Sequence, residues 1–321
     1  MAEAHQPVAI GDATAPPELP EPQLVKTQSR GNLLQAATET SGETTDAYKP
    51  PNLPSVTNPT TRGYLPPFVK KGSFSKTIAT LRPDMQDPVK QLFEKHVNVD
   101  SGKYPYCAIG KVFVGKNRNF ASSIWTGVGV LVGPDLMITS SHTIPWNTPG
   151  GWMRFVPAYE DGKEPFGSSY VEHWHGYIPD PATAYDYAVC KLYTHIGDKT
   201  GWLGTAGYTE PAPYTKDTYQ ICGYSGHTEK GQVQVIDKDI KIHKVEDDEN
   251  SNDFKALLTG YLTSGWEGAV LIKTTNGAPA VVGLLSEHLD EWVGSVDSEY
   301  SVFSGGVALP GLVVWGQENW K

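Results

Sequence analysis

From Tyr104 onward the chain alternates short runs of β-branched and aromatic residues with Gly, Pro, Asn and Asp. YCAIGKVFVG, SIWTGVGVLVG, LMITSS, MRFVPAYE, SSYVEHWHGYI, YAVCKLY, YQICGYSG, QVQVIDKDIKIHKV, KALLTG, GAVLIKTT, AVVGLLSEH and YSVFSGG each have the length and composition of a strand. So many short strands, with no long helical period between them, predict an antiparallel all-β domain. Residues 84–97 (DMQDPVKQLFEKHV) predict one short helix. Asp84 or Asp87 would cap it, Pro88 fits its first turn, and Val89, Leu92, Phe93 and His96 share a face. GLVVWGQENW is ambiguous between the two periods, so no helix is evident near the C-terminus. Residues 1–66 are rich in Pro, Thr, Ala, Ser and Glu, carry the pairs Pro16-Pro17, Pro50-Pro51 and Pro66-Pro67, and lack sustained apolar periodicity. Such a segment has too little apolar surface to offset its ordering entropy, and is expected to be flexible or to lie extended on the folded domain.

The formal net charge of −10 and the isoelectric point near 5.4 argue against sequence-independent nucleic-acid binding, which needs clustered Lys and Arg, and no nucleic-acid partner is expected. Cys107, Cys190 and Cys222 are too few for a disulfide framework, and each lies in an apolar strand-like run, so buried reduced thiols are expected. MAEAHQPVAIGDATAPPELP has no basic region followed by an apolar one, and no apolar run reaches membrane-spanning length. The expected setting is cytoplasmic, with no membrane association; secretion without a leader stays open.

Three segments carry candidate chemistry. His142 ends the apolar run GVGVLVGPDLMITSSHTIPW, Asp186 opens AYDYAVCKL, and TSGWEGAVLI places Glu267 between Gly265 and Gly268. His142 and Asp186 are 44 residues apart, and Glu267 follows 81 residues after Asp186. This order matches the base, orienting acid and nucleophile of chymotrypsin-like proteases, with a carboxylate where the hydroxyl belongs. Taken with YPYCAIGKVFV, MRFVPAYEDGKEPFGSSYVEHWHGY and YQICGYSGH, six motifs follow one another as in glutamyl-endopeptidase-like serine proteases, which the chain resembles over about residues 98–310.

The resemblance implies a chymotrypsin-like double antiparallel β-barrel with a mostly irregular N-terminal extension. It divides the chain into residues 1–66, flexible or extended; 67–97, a connecting, pro-segment-like stretch with the short helix; and 98–321, a trypsin-like protease domain. It implies that His142 is the general base and that Asp186 fixes its tautomer. The backbone N–H groups of Gly265 and Glu267 would form the oxyanion hole, and Trp266 is either a cleft aromatic for substrate or a barrel wall. No cofactor is implied, and the expected partner is a peptide or protein ligand between the barrels.

Two departures stand out: Glu267 replaces Ser, and Val270 replaces the family's Pro. A carboxylate attacking a peptide carbonyl would form a mixed anhydride that the amine readily reverses. Glu267 would instead pair with His142 or fold into the oxyanion hole, and either leaves a self-occupied site. The family's acid-recognising His falls at Leu285, and His288 is out of register. Three functions stay open: a catalytically inactive pseudoprotease; an active endopeptidase, with Ser at 267 in a parent sequence or Ser264 as nucleophile; and a structural or assembly protein reusing the fold. Weaker signals are His173 and His175, which share a strand face as a metal pair or as solvent-facing residues, and Glu246–Asn250, a calcium loop or, lacking its glycine, a solvated turn.

Overall fold

The computed structural model describes residues 44–45, 97–98, 100–116, 123, 125–177, 184–208, 210–225, 229–248, 251–256, 268–275, 278–293 and 296–320. The expected helix over 84–97 and nearly all of the 1–66 segment therefore lie outside the described residues. So do Ser264, Gly265, Trp266 and Glu267. Two short strands, β1 (Thr44–Thr45) and β2 (Val97–Asn98), precede the main body.

Six strands close the first barrel: β3 (Ile109–Gly115), β4 (Trp125–Leu131), β5 (Leu136–Thr139), β6 (Trp152–Pro157), β7 (Ser169–Gly176) and β8 (Ala188–Leu192). Their order is β3-β4-β5-β8-β7-β6, and β3 closes the ring against β6. Val112, Val114, Val128, Val130, Met137, Ile138 and Phe155 fill its core and are fully buried. Closure removes free edges, and these apolar runs serve barrel and surface faces alike.

The close approach of β3 to β6 demands glycine at 110. A methyl there would stand 2.3 Å from the Val156 carbonyl oxygen and 2.6 Å from the Pro157 Cα, both backbone atoms. Gly110→Ala is therefore expected to cost about 3 kcal/mol or more through forced backbone movement. Gly102→Ala, whose methyl would meet nothing closer than 3.5 Å, serves as the control. A urea midpoint for Gly110→Ala equal to that of the control would rule out this contact.

The second sheet comprises β9 (Gly204–Ala206), β10 (Tyr219–Gly223), β11 (Val235–Ile240), β12 (Ile242–Asp248), β13 (Ser251–Ala256), β14 (Val270–Thr275), β15 (Ala278–Val293) and β16 (Val296–Gly305). Its order is β12-β13-β16-β15-β14-β10-β11-β2, and it curls into a half-barrel. QVQVIDKDIKIHKV, expected as one strand, is divided at Lys241 into β11 and β12, after Asp239 adopts a positive φ of 58°. The curl encloses a second core of Tyr214, Ile221, Phe254, Leu271, Val282 and Phe303. β1 pairs antiparallel with β9, Thr44 opposite Ala206, so this piece of the N-terminal segment does lie on the folded body.

Three α-helices are described, α1 (Gly197–Thr200), α2 (Ala212–Lys216) and α3 (Ala308–Asn319), besides short 3₁₀ turns. α3 corrects the expectation that the C-terminus has no helix. It contains Pro310, Gly311 and Gly316, which depress intrinsic helix propensity. Its helicity comes instead from packing, since Ala308, Leu309, Leu312 and Val313 join the first barrel's core.

Lys111, 5% exposed on β3, ties the two halves by donating to the Gly231 carbonyl at 2.6 Å, among the rings of Phe113, Tyr159 and Tyr224. Burial lowers its pKa to about 8. Tyr224 Oη donates to the Tyr159 carbonyl at 3.0 Å, and Gln234 Nε2 to the Tyr106 carbonyl at 3.1 Å, across the same seam. The three cysteines are free and buried as expected. Burial pushes the Cys107 thiol up to about 12 and raises the other two as well.

Candidate active site

His142 sits in the single 3₁₀ turn Ser141–Thr143 that follows β5. The turn is pinned from several sides. Ser140 Oγ and Thr143 Oγ1 are 2.6 Å apart, Trp125 Nε1 donates to the Thr143 carbonyl at 3.0 Å, Trp146 Nε1 donates to the Ser141 carbonyl at 2.8 Å, and Ser141 Oγ donates to the Tyr177 carbonyl. Strand β5 is buried throughout, so the barrel carries the turn rigidly. The His142 side chain keeps 34% of its accessible surface, enough for a reactant to reach it.

Asp186 lies in the turn that leads into β8, packed between Tyr185 and Tyr187, and is 5% exposed. Its Oδ2 is 2.6 Å from His142 Nδ1, and its Oδ1 accepts the His142 backbone N–H at 2.9 Å. A third donor, Ser286 Oγ, reaches Oδ2 at 2.7 Å. All three groups donate, which is the pattern a carboxylate accepts. The backbone contact fixes the carboxylate, and the carboxylate fixes the imidazole with its proton on Nδ1 and with Nε2 turned away from Asp186.

Ser286 was not singled out in the sequence. It is the extra residue of a bulge in β15, where Leu285 pairs with Phe303 and Glu287 with Val302. A bulge re-aims one side chain out of the alternating pattern, and here it sends a hydroxyl to Asp186. A serine in VVGLLSEH is the only signal the sequence carries, and the bulge is invisible to period-2 reading.

Of the segment around position 267, Gly268 is the first described residue. Gly268 has φ 78°, a left-handed conformation that favours glycine, and its N–H donates to the Leu285 carbonyl at 3.0 Å. A methyl on Gly268 would stand 2.6 Å from the Val128 carbonyl oxygen, 3.2 Å from Thr139 Oγ1 and 3.3 Å from the Ser140 nitrogen. Gly268 therefore lies close against the strand end that leads into the His142 turn.

No family model matches the chain, and no curated protein matches it. Solved structures do. A Glu endopeptidase in complex with MPD superimposes with a TM-score of 0.54 at 20% identity, over 70% of this chain and 97% of that one. A thermostable serine protease from an extremophilic microorganism gives a TM-score of 0.50 at 16% identity, over 66% and 98%. The fold is that of the chymotrypsin-like serine proteases.

Within this chymotrypsin-like frame His142 and Asp186 both come from the first barrel, and the Ser286 hydroxyl on Asp186 ties the pair to the second sheet. Leu285 is 5% exposed and packs in the second core. The backbone of His288 pairs with Ser301. His173 and His175 do share a face, which is closed to solvent at His175 and partly covered at His173, whose side chain keeps 27% of its accessible surface. His175 is fully buried and stacks on Trp315 of α3 at 3.7 Å and 17°, and His173 stacks on Trp320 at 6.2 Å. Two indoles meet the imidazoles, and no group of three or more metal-type ligands occurs among the described residues. Of the Glu246–Asn250 run, Glu246–Asp248 end β12, where Asp248 pairs with Ser251 of β13 and Glu246 is engaged by Lys244 and by Lys255 at 3.3 Å; residues 249 and 250 lie outside the described residues.

Proposed function

We propose that the chain is a serine-endopeptidase homologue that binds a peptide or protein segment between its two halves, and that Glu267 in the nucleophile position leaves it without appreciable peptidase activity. In this reading His142 is the general base, Asp186 holds its tautomer, and the backbone N–H groups of Gly265 and Glu267 are the oxyanion donors. The observation that carries the reading is the 2.6 Å contact between His142 Nδ1 and Asp186 Oδ2 beside a partly exposed imidazole. The base and its orienting acid are kept in the sequence, and of the three catalytic positions it is the hydroxyl that is missing.

A fluorophosphonate probe, which reacts with an activated serine, tests this. The chain as written is expected to stay unlabelled. Glu267→Ser is expected to label at the introduced hydroxyl, and adding His142→Ala is expected to abolish that labelling. A folded Glu267→Ser chain that stays inert would mean that the site is lost beyond one residue and would favour an assembly role. Labelling of the unaltered chain at Ser264 would move the nucleophile there.

A further inference from the structure

Asp186 is gripped at more than its carboxylate. The carbonyl of Ala184, two residues before it, accepts a hydrogen bond from Ser251 Oγ, and the hydroxyl of Tyr187, the residue after it, lies 2.9 Å from the same oxygen. Ser251 Oγ also lies 2.6 Å from the Gly305 carbonyl oxygen. Ser251, Tyr187 and Ala184 are 0%, 0% and 1% exposed, so water does not compete at this junction.

Ser251 opens β13, which belongs to the second sheet, whereas Ala184 and Tyr187 belong to the first barrel. β13 pairs with β16, Asn252 opposite Gly305, and β16 pairs with β15, which carries Ser286. One rigid sheet thus presents two hydroxyls to the Asp186 turn. Ser286 holds the carboxylate and Ser251 holds the peptide frame on which the carboxylate rides.

We infer that Ser251 is a positioning residue that registers the Asp186 turn against the second sheet and so sets the reach of its carboxylate to His142. This rests on the reading of His142 and Asp186 as base and orienting acid. A hydroxyl has one proton and two lone pairs. Ser251 accepts from Tyr187 and shares its proton between two carbonyls, one on each half of the molecule. Burial pushes the Tyr187 hydroxyl well above its ordinary pKa, so it stays a donor at working pH. Alanine at 251 would strand the Tyr187 hydroxyl and the carbonyls in a dry site, and the turn would have to shift to satisfy them.

The test has two readouts. The first is the far-downfield proton resonance of His142 Nδ1 in the chain as written, which needs no nucleophile. Ser251→Ala is expected to shift and broaden it, and Ser251→Thr, which keeps the hydroxyl, to restore it. The second is the rate of fluorophosphonate labelling in the Glu267→Ser chain, expected to fall about 10- to 100-fold with Ser251→Ala, the scale of a misplaced catalytic group. If Glu267→Ser is inert, the proposed function fails while the proton resonance still decides the role of Ser251. A folded Ser251→Ala chain with an unchanged resonance, even with lowered stability, would make Ser251 a structural tie only and overturn the inference. Should Ser251→Ala not fold, Tyr187→Phe takes its place. It keeps the ring packing and the Ser251 proton, it is expected to shift the same resonance by a smaller amount, and an unchanged resonance there would likewise overturn the inference.

Discussion

In the Glu267→Ser chain, Asp186→Asn is expected to slow fluorophosphonate labelling by on the order of 10³- to 10⁴-fold while leaving the fold intact. The size follows from which atoms the amide must present. The His142 backbone N–H can only donate, so the Asn oxygen must occupy the Oδ1 place, 2.9 Å from that nitrogen. The NH₂ group then takes the Oδ2 place, 2.6 Å from His142 Nδ1. Two donors cannot face each other there, so Nδ1 becomes the acceptor and the ring proton moves to Nε2. An imidazole protonated on Nε2 cannot take a proton from the nucleophile. Ser286 Oγ, 2.7 Å from Oδ2, can turn to accept from the amide and does not rescue the tautomer. Ser286→Ala removes one donor and leaves the tautomer unchanged, so its loss is expected to be much smaller, about 10-fold. Measured labelling rates within tenfold of each other for Asp186→Asn and its parent would show that orientation by Asp186 is not what the site depends on.

The strands of the first barrel were legible because each is a short apolar run bounded by turn residues. GVGVLVG and LMITSS become β4 and β5, and His142 follows directly where the second run ends. The legibility of the site had the same cause: a His just past one buried strand and an Asp just before another. The failures are tertiary. β13 is Ser251–Ala256, a polar segment (SNDFKA) beside an acidic run; the expected strand KALLTG meets it at Lys255 and Ala256, the rest of that run lies outside the described residues, and the polar start of β13 was not read as strand. Its polar residues are buried by partners that no local pattern reveals, Ser251 by Ala184, Tyr187 and Gly305. Ser286 was missed because a bulge breaks the alternation on which strand reading rests. α3 was missed because Pro310, Gly311 and Gly316 speak against a helix that packing alone sustains. The reading of the histidine pair followed from the missed helix. Period-2 reading placed His173 and His175 on one face correctly, but the indoles that cover the face, Trp315 and Trp320, sit on and just beyond the unassigned helix.

That covered face has a consequence in acid. Lowering the pH from 6.5 to 4 is expected to remove up to about 3 kcal/mol of stability through His175 alone. His175 is fully buried, and neither ring nitrogen has a hydrogen-bond partner among the described residues. Burial lowers its pKa from the ordinary 6.5 to about 4. The folded state therefore keeps the ring neutral in a range where the unfolded chain binds a proton. The stabilisation is fully present above pH 6.5, declines as the pH falls below it, and is gone once the folded ring also protonates near pH 4. Attraction between a protonated imidazole and the Trp315 ring, stacked at 3.7 Å, opposes this loss by about 0.5–2 kcal/mol and is not enough to reverse it. The first region to yield should be the contact of α3 with β7, because protonated His175 needs water that the stacked indole excludes. His175→Phe keeps a flat ring against Trp315 and has no proton to gain. Urea unfolding from pH 7 to pH 4 should then show a flatter dependence for His175→Phe than for the parent, with the difference confined to the window between 6.5 and 4. Parallel curves for the two chains across that window would remove His175 as the acid-sensitive group.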